Sequence, residues 1–304
     1  MSQALTRRVV STGALGILLA AAAACGSSSS GGNQSVQPAA TGSSSVDSAA
    51  AALVPAALKS KGSIVIAEDA SYAPNEFIGP DGHTIVGMDA DLANAIGAKL
   101  GLKANLTNET FDGIIPGILG GKYDLGISSF TDTKAREKQV NFVDYFKAGT
   151  SFFEKATGGP AVTGLSSLCG LKVSVEKGTT EETDATNQGK KCTSAGKPNV
   201  TVDTYPDQNG ANLALQSGHD QVGMADSPIA AYQVKKSNGL FKLVGTPYGV
   251  APYGIACPKG STLDQAVLAA VKSLMADGTY AQILDKWGVQ PGAITNPGIN
   301  GAIS

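Results

Sequence analysis

Nine residues in mid-chain, Ser128-Ser129-Phe130-Thr131-Asp132-Thr133-Lys134-Ala135-Arg136, set hydroxyls at 128, 129 and 131 ahead of a guanidinium at 136. A guanidinium holds a carboxylate through two parallel charge-assisted hydrogen bonds, which a compact ammonium cannot do. By local composition alone Arg136 reads equally well as a solvated charge beside Lys134 and Lys138. Ser128, Ser129 and Thr131 close an apolar run and open a loop, where α/β sheets gather ligands and where such residues also simply form turns. Thr179 and Glu182 make a T-x-x-E capping box, so a helix starts there with unpaired amides that suit an anion. Asp226 ends a second apolar run just before Ser227-Pro228. It can serve as a helix N-cap, as a turn residue, or as the counter-charge of a bound cation.

Covalent or metal chemistry has little to work with. The chain has no G-x-S-x-G elbow, no Cys-His pairing and few titratable groups outside those already named. Its histidines, His83 and His219, sit in Gly- and Asp-rich stretches that read as turns, and neither has a second ligand candidate nearby. No metal and no cofactor is therefore expected. Cys169 and Cys192 lie in one region and can pair in an oxidising compartment, whereas Cys257, within an apolar run, reads as a buried small hydrophobe.

The elements that must carry these groups follow from length and pattern. At 304 residues the chain exceeds a usual single domain, so two lobes are expected. Hydrophobic residues at 42%, charged residues at 16% and a net charge of −2 exclude bulk disorder and a nucleic-acid footprint. Arg7 and Arg8 precede an apolar run over 9–24 that ends at Cys25-Gly26. That run is too short to span a bilayer and reads as an export signal over 1–25. The cysteine after small residues resembles the lipobox of bacterial lipoproteins, in which the thiol is acylated, with Ala22 where that box prefers Leu; an ordinary secretory peptide cleaved within the alanine run is the alternative. Residues 26–57, poor in large apolar side chains, read as a flexible Ser/Gly/Ala-rich tether. Beyond it, β-branched runs alternate with amphipathic stretches, which predicts α/β structure. Strands are expected over 63–67, 123–128, 171–175 and 222–226. Helices are expected over 89–100 with Asp89 as N-cap, from about Asp112 with Pro116 tolerable only near the first turn, and from Thr179. Leu263, Val267, Val271 and Leu274, then Tyr280, Leu284 and Trp287, place two packing helices at the end.

Several motifs, in order, resemble family 3 of the extracellular solute-binding proteins. They are GSIVIAEDASYAPNEF at 62–77, GMDADL at 87–92, FDGIIPGILGGKYDLGI at 111–127, SSFTDTKAR at 128–136, EKGTTEE at 176–182, MADSP at 224–228 and DGTYAQILDKWGV at 277–289. The resemblance implies a two-lobed, type II periplasmic-binding-protein-like fold with the second lobe, 150–250, inserted in a first lobe of 58–149 and 251–304. Two crossover strands, near 147–151 and 248–253, would be the hinge. It further implies a monomer that binds a polar amino acid outside the cytoplasmic membrane, lipid-anchored through Cys25, and passes it to the permease of an ABC importer.

The same resemblance assigns roles. Arg136 takes the ligand carboxylate, helped by Ser128, Ser129, Thr131 and, from the second lobe, Thr180. Asp226 takes the ammonium, Tyr72 and Phe111 flank the side chain, and Asp69 and Glu176 face its far end. Asn75 departs from the aromatic residue often found in that loop. Asp69 and Glu176, with no Lys or Arg in 68–77, favour a cationic or amide side chain over an acidic one. A dehydratase-like enzyme on the same fold, a ligand sensor and a cell-wall interaction lipoprotein are the rival classes; the last needs an exposed aromatic or basic face, and aromatics are 6% of the chain.

Overall fold

The computed structural model describes residues 45–303; the export signal, Cys25 and the first part of the tether lie outside them. The tether ends earlier than expected. Residues read as flexible up to 57 contain α1 (Ser48–Leu53) and most of the first turn of α2 (Ala56–Lys61). Asp47 caps α1, accepting from the amides of Ala49 and Ala50 at 3.0 Å each, and the hydroxyl of Thr262 donates to the Leu53 carbonyl at 2.8 Å. Alanine is the best helix former, and buried Ala50, Val54 and Leu58 give these short helices a core to dock on.

The chain continues through β1 (Ser63–Glu68), β2 (Ser71–Tyr72), β3 (Glu76–Ile78), β4 (Ile85–Val86), α3 (Met88–Leu100), β5 (Lys103–Asn108), α4 (Phe111–Leu119) and β6 (Leu125–Gly126) to the long strand β7 (Asn141–Lys155). Then follow β8 (Lys172–Glu176), α5 (Thr180–Ser194), β9 (Thr201–Tyr205), α6 (Gln208–Ser217), β10 (Val222–Asp226) and α7 (Ser227–Lys236). A second long strand, β11 (Phe241–Cys257), leads to α8 (Leu263–Ala276) and α9 (Thr279–Trp287). The final two helices pack as expected: Leu263, Val267, Val271, Leu274, Tyr280 and Leu284 share one core with α3 and β1.

Eight strands form one sheet in the order β5-β1-β6-β11-β7-β10-β8-β9. Its middle is the antiparallel pair β7 and β11, whose register shifts between Val244 and Tyr248 and between Tyr248 and Ala251. A Cβ on Gly149 would lie 2.5 Å from the Tyr248 carbonyl oxygen, so only glycine lets the two strands approach there. On one side of this pair β1 runs parallel to β5 and β6, and on the other β10 and β9 run parallel to β8. Residues 156–240, with β8 to β10 and α5 to α7, thus lie in sequence between the two long strands. The carboxyl ends of β1, β8 and β10 bear Asp69, Glu176 and Asp226, and Asp226 pairs with Thr150 where the long strands cross.

Three local expectations are corrected. Helix α3 starts at Met88 with Gly87, not Asp89, at its N-cap; Gly87 has φ 139° and an added Cβ would lie 2.0 Å from the Asn75 oxygen. Asp89 sits inside the first turn, fully buried, accepting from the Tyr145 hydroxyl and the Ser129 amide at 2.8 Å each. Pro116 lies past the first turn of α4. The helix ends three residues later and buries Ile114, Ile115 and Ile118, which offsets the one amide bond that Pro cannot make. The strand expected over 123–128 is pared to Leu125–Gly126.

Cys169 and Cys192 form a disulfide, Sγ to Sγ 1.98 Å, and Cys257 is free and buried. The bond ties α5, which buries little beyond Ala185 and Cys192 among its apolar side chains, to the turn before β8. Its loop spans a sequence separation of 23, so replacing both cysteines by serine is expected to lower stability by about 3 kcal/mol. The measurement is a denaturant midpoint at unchanged m-value; a shift equivalent to less than about 1 kcal/mol would show that α5 holds without it.

Candidate functional site

All ten residues expected at the site line one cleft: Asp69, Tyr72, Phe111, Ser128, Ser129, Thr131, Arg136, Glu176, Thr180 and Asp226. Glu76, Thr179 and Glu181 complete its walls.

Arg136 begins a single 3-10 turn after the Ser128–Thr131 loop. Its Nη1 donates to the Thr131 carbonyl at 2.7 Å and its Nη2 to the Gly178 carbonyl at 3.0 Å. The guanidinium also lies 5.2 Å from the Phe111 ring and 5.5 Å from Phe130, rings that stack on each other at 4.5 Å. Carbonyls and π faces thus fix its plane, and among the described residues no carboxylate pairs with it. Burial pulls its pKa down while the charges of Glu181 and Asp226 push it back; it stays a cation. The reading of Arg136 as a free surface charge does not describe this geometry.

Opposite it, Gly178 and Thr179 lead into α5. Thr179 Oγ1 accepts from the Glu182 amide at 3.2 Å, which is the cap half of the expected box, while the Glu182 carboxylate accepts from the amide of Gly178, one residue before the cap, at 2.6 Å. Thr180 opens the helix and faces the cleft. Glu181, next in sequence, is buried and accepts from the Thr150 hydroxyl at 2.6 Å. Sequence reasoning missed it because a lone Glu in a first turn usually faces water; adjacency to Thr180 was the one available signal.

Asp226 precedes α7 but makes no side-chain cap bond. Its Oδ2 instead accepts from the Tyr72 hydroxyl at 3.2 Å, and the same hydroxyl accepts from the Asp226 amide at 3.1 Å. Burial, and then the charge of Glu181, raises its pKa well above the carboxylate range. A ligand ammonium would oppose both by stabilising the ionised form.

Asp69 and Glu176 form the other pole. Asp69 accepts from the amides of Ser71 and Phe111 at 3.0 Å, so it also caps α4. Burial raises its pKa. Glu176 is raised well above the usual range by burial first and then by the charge of Asp69, with which it shares a hydrogen bond. One Glu176 oxygen is buried with no hydrogen-bond partner among the described residues. The raised Glu176 pKa favours a proton held on this pair of carboxyls, which offers acceptors to a donor-rich guest.

A third carboxyl steadies the floor. Buried Glu76, also missed from sequence, accepts from the hydroxyls of Ser128 at 3.0 Å and Ser129 at 3.3 Å, and Ser128 accepts from the Asp69 amide at 2.8 Å. Ser129 is held at φ 49°, a left-handed conformation stabilised by its amide bond to Asp89. Asn75 is not a wall of the cleft; it is buried and donates to Ser129 Oγ at 2.8 Å. Contacts close the cleft from both sides: Tyr72 to Asp226, Arg136 to Gly178, Ser71 Oγ to the Gln208 amide at 3.0 Å, and Lys177 to Asp112 at 2.7 Å.

A family model described as bacterial extracellular solute-binding proteins, family 3, matches residues 64–290. The arginine-binding protein ArgT of Corynebacterium glutamicum is 33% identical over 250 residues, 82% of this chain and 82% of its own. Among solved structures, an ancestral arginine-binding protein bound to arginine superposes with a TM-score of 0.68 at 36% identity, covering 74% of this chain and 98% of its own. One bound to glutamine gives 0.68 at 35%, covering 75% and 98%. Among the described residues no helix is long and apolar enough to cross a membrane.

Proposed function

We propose that this chain, which belongs to the bacterial extracellular solute-binding proteins of family 3, binds L-arginine in the cleft between two lobes and delivers it to an ABC importer. Binding of an amino acid and its delivery to an importer accord with relatives named as arginine- or glutamine-binding proteins of ABC transporters; none of these names an enzyme. Arginine is the reading favoured by one observation: the cleft sets a single cation, Arg136, against the carboxyls of Asp69, Glu76, Glu176, Glu181 and Asp226, with Asp69 and Glu176 paired.

The roles follow from charge. Arg136, with Thr180 and the amides that open α5, takes the α-carboxylate, and Asp226 takes the α-ammonium. Tyr72 and Phe111 enclose the aliphatic stem, while Asp69 and Glu176 receive the guanidinium. Residues 58–149 with 251–304 make one lobe and 150–250 the other, closing about the crossing of β7 and β11. The protonated dyad also offers a donor and an acceptor to a carboxamide, so glutamine is the second reading. A calorimetric screen of the common amino acids decides: arginine is expected to lead, a ranking led by glutamine selects the second reading, and one led by glutamate or aspartate overturns both.

We also propose a lipid anchor on Cys25. Cys25→Ser is expected to move the protein from the membrane fraction to the medium or periplasm, read by fractionation and immunoblot; full membrane retention of the variant would exclude the thiol as the attachment point.

A further inference from the structure

On the edge strand β9, beside the strand β8 that carries Glu176, a second group of side chains converges outside the cleft lining. Asp203 lies mid-strand, and the turn after α6 brings His219 and Asp220 beside it. One donor atom from each residue lies within 4.8 Å of the others, and His219 Nε2 is 3.6 Å from Asp203 Oδ2. His219 was expected to have no ligand partner nearby; a separation of 16 positions hid Asp203. The turn is pinned, with the amides of His219 and Asp220 both donating to the Ala214 carbonyl, at 3.0 and 3.3 Å.

Asp220 adds an independent observation. It is only 2% exposed. The Tyr205 hydroxyl donates to its Oδ2 at 2.7 Å, which leaves Oδ1 buried without a hydrogen-bond partner among the described residues. A buried carboxylate oxygen without a hydrogen-bond partner, in a group with a second carboxylate and an imidazole, is suited to receive a cation. We propose that Asp203, His219 and Asp220 bind a divalent transition-metal ion of the zinc class.

The geometry suits it. Ligand atoms about 2.0–2.1 Å from a tetrahedral zinc stand roughly 3.3–3.4 Å apart, so the present spacing closes by small side-chain movements. Two carboxylates and a neutral imidazole match the ion's charge, and a water completes the fourth position. Tyr205 orients the Asp220 carboxylate from behind, as outer-shell hydrogen bonds do at metal sites. The ion would clamp the edge strand β9 to the α6–β10 turn without touching the ligand cleft.

The test titrates the full chain, stripped with EDTA, with ZnCl₂ in a calorimeter. One ion per chain is expected, with a higher melting temperature in its presence. His219→Asn and Asp203→Asn should each weaken zinc binding at least about tenfold, while arginine affinity stays within a few-fold, which shows that the variants fold. Cobalt(II) should give visible absorption in the parent and lose it in His219→Asn. No binding by the parent, zinc affinity unchanged in both variants, or equal response to Mg²⁺ would each overturn the proposal.

Discussion

Arg136→Ala is expected to reduce arginine affinity by about 2–5 kcal/mol, the usual result of truncating one partner of a desolvated charge pair. That is roughly thirtyfold to several-thousand-fold in Kd. The size follows from the setting. The guanidinium is already oriented by the Thr131 and Gly178 carbonyls and by the Phe111–Phe130 stack, so little ordering is left to be done when a carboxylate arrives. Without it the ligand carboxylate would be buried among Glu181, Asp226 and the α5 amides with no full positive charge nearby. Arg136→Lys keeps the charge but loses the fork and should fall between the two. Calorimetry of the three proteins with arginine is the measurement, and a loss below about threefold in Arg136→Ala would place the carboxylate elsewhere. The ligand-free alanine variant should melt only slightly lower, because the side chain contributes two backbone contacts and an aromatic face.

What the sequence showed and what it hid divide along physical lines. Strand β10 is legible as a β-branched and apolar run, and the start of α5 as a capping box, because both signals are local. Gly87 and α1 were misread because their signals are tertiary: the close approach of Asn75 decides the first, and docking of Ala50 and Val54 on the core decides the second. The ten site residues were legible through motif register, not through their own types; taken singly, Arg136 and Asp226 had ordinary surface readings. Glu76, Glu181 and the Asp203–His219 pairing escaped for one reason. A lone acid or imidazole faces water by default, and only the folded chain reveals that Glu76 and Glu181 are buried and that His219 lies beside Asp203.

Glu176→Gln with Asp69→Asn is expected to cost arginine binding about as much as Arg136→Ala, on the order of 2–4 kcal/mol, while leaving glutamine within a few-fold. Asn at 69 can still accept the Phe111 amide that caps α4, so the double variant should fold. Proton linkage gives a second readout. In the free protein burial and the charge of Asp69 raise the Glu176 pKa well above its ordinary value, which favours a proton held on the dyad. A bound guanidinium favours the ionised dyad and pulls that pKa down. Arginine binding therefore expels a proton, and its affinity rises with pH between the bound-state and free-state pKa, by at most about one decade per pH unit. A carboxamide brings no charge, keeps the proton and binds with flat pH dependence. Titrations in buffers of different ionisation enthalpy should show proton release with arginine, none with glutamine, and none in the double variant. Arginine binding that keeps its full strength in the double variant, or that takes up rather than releases a proton, would remove the dyad from the side-chain pocket.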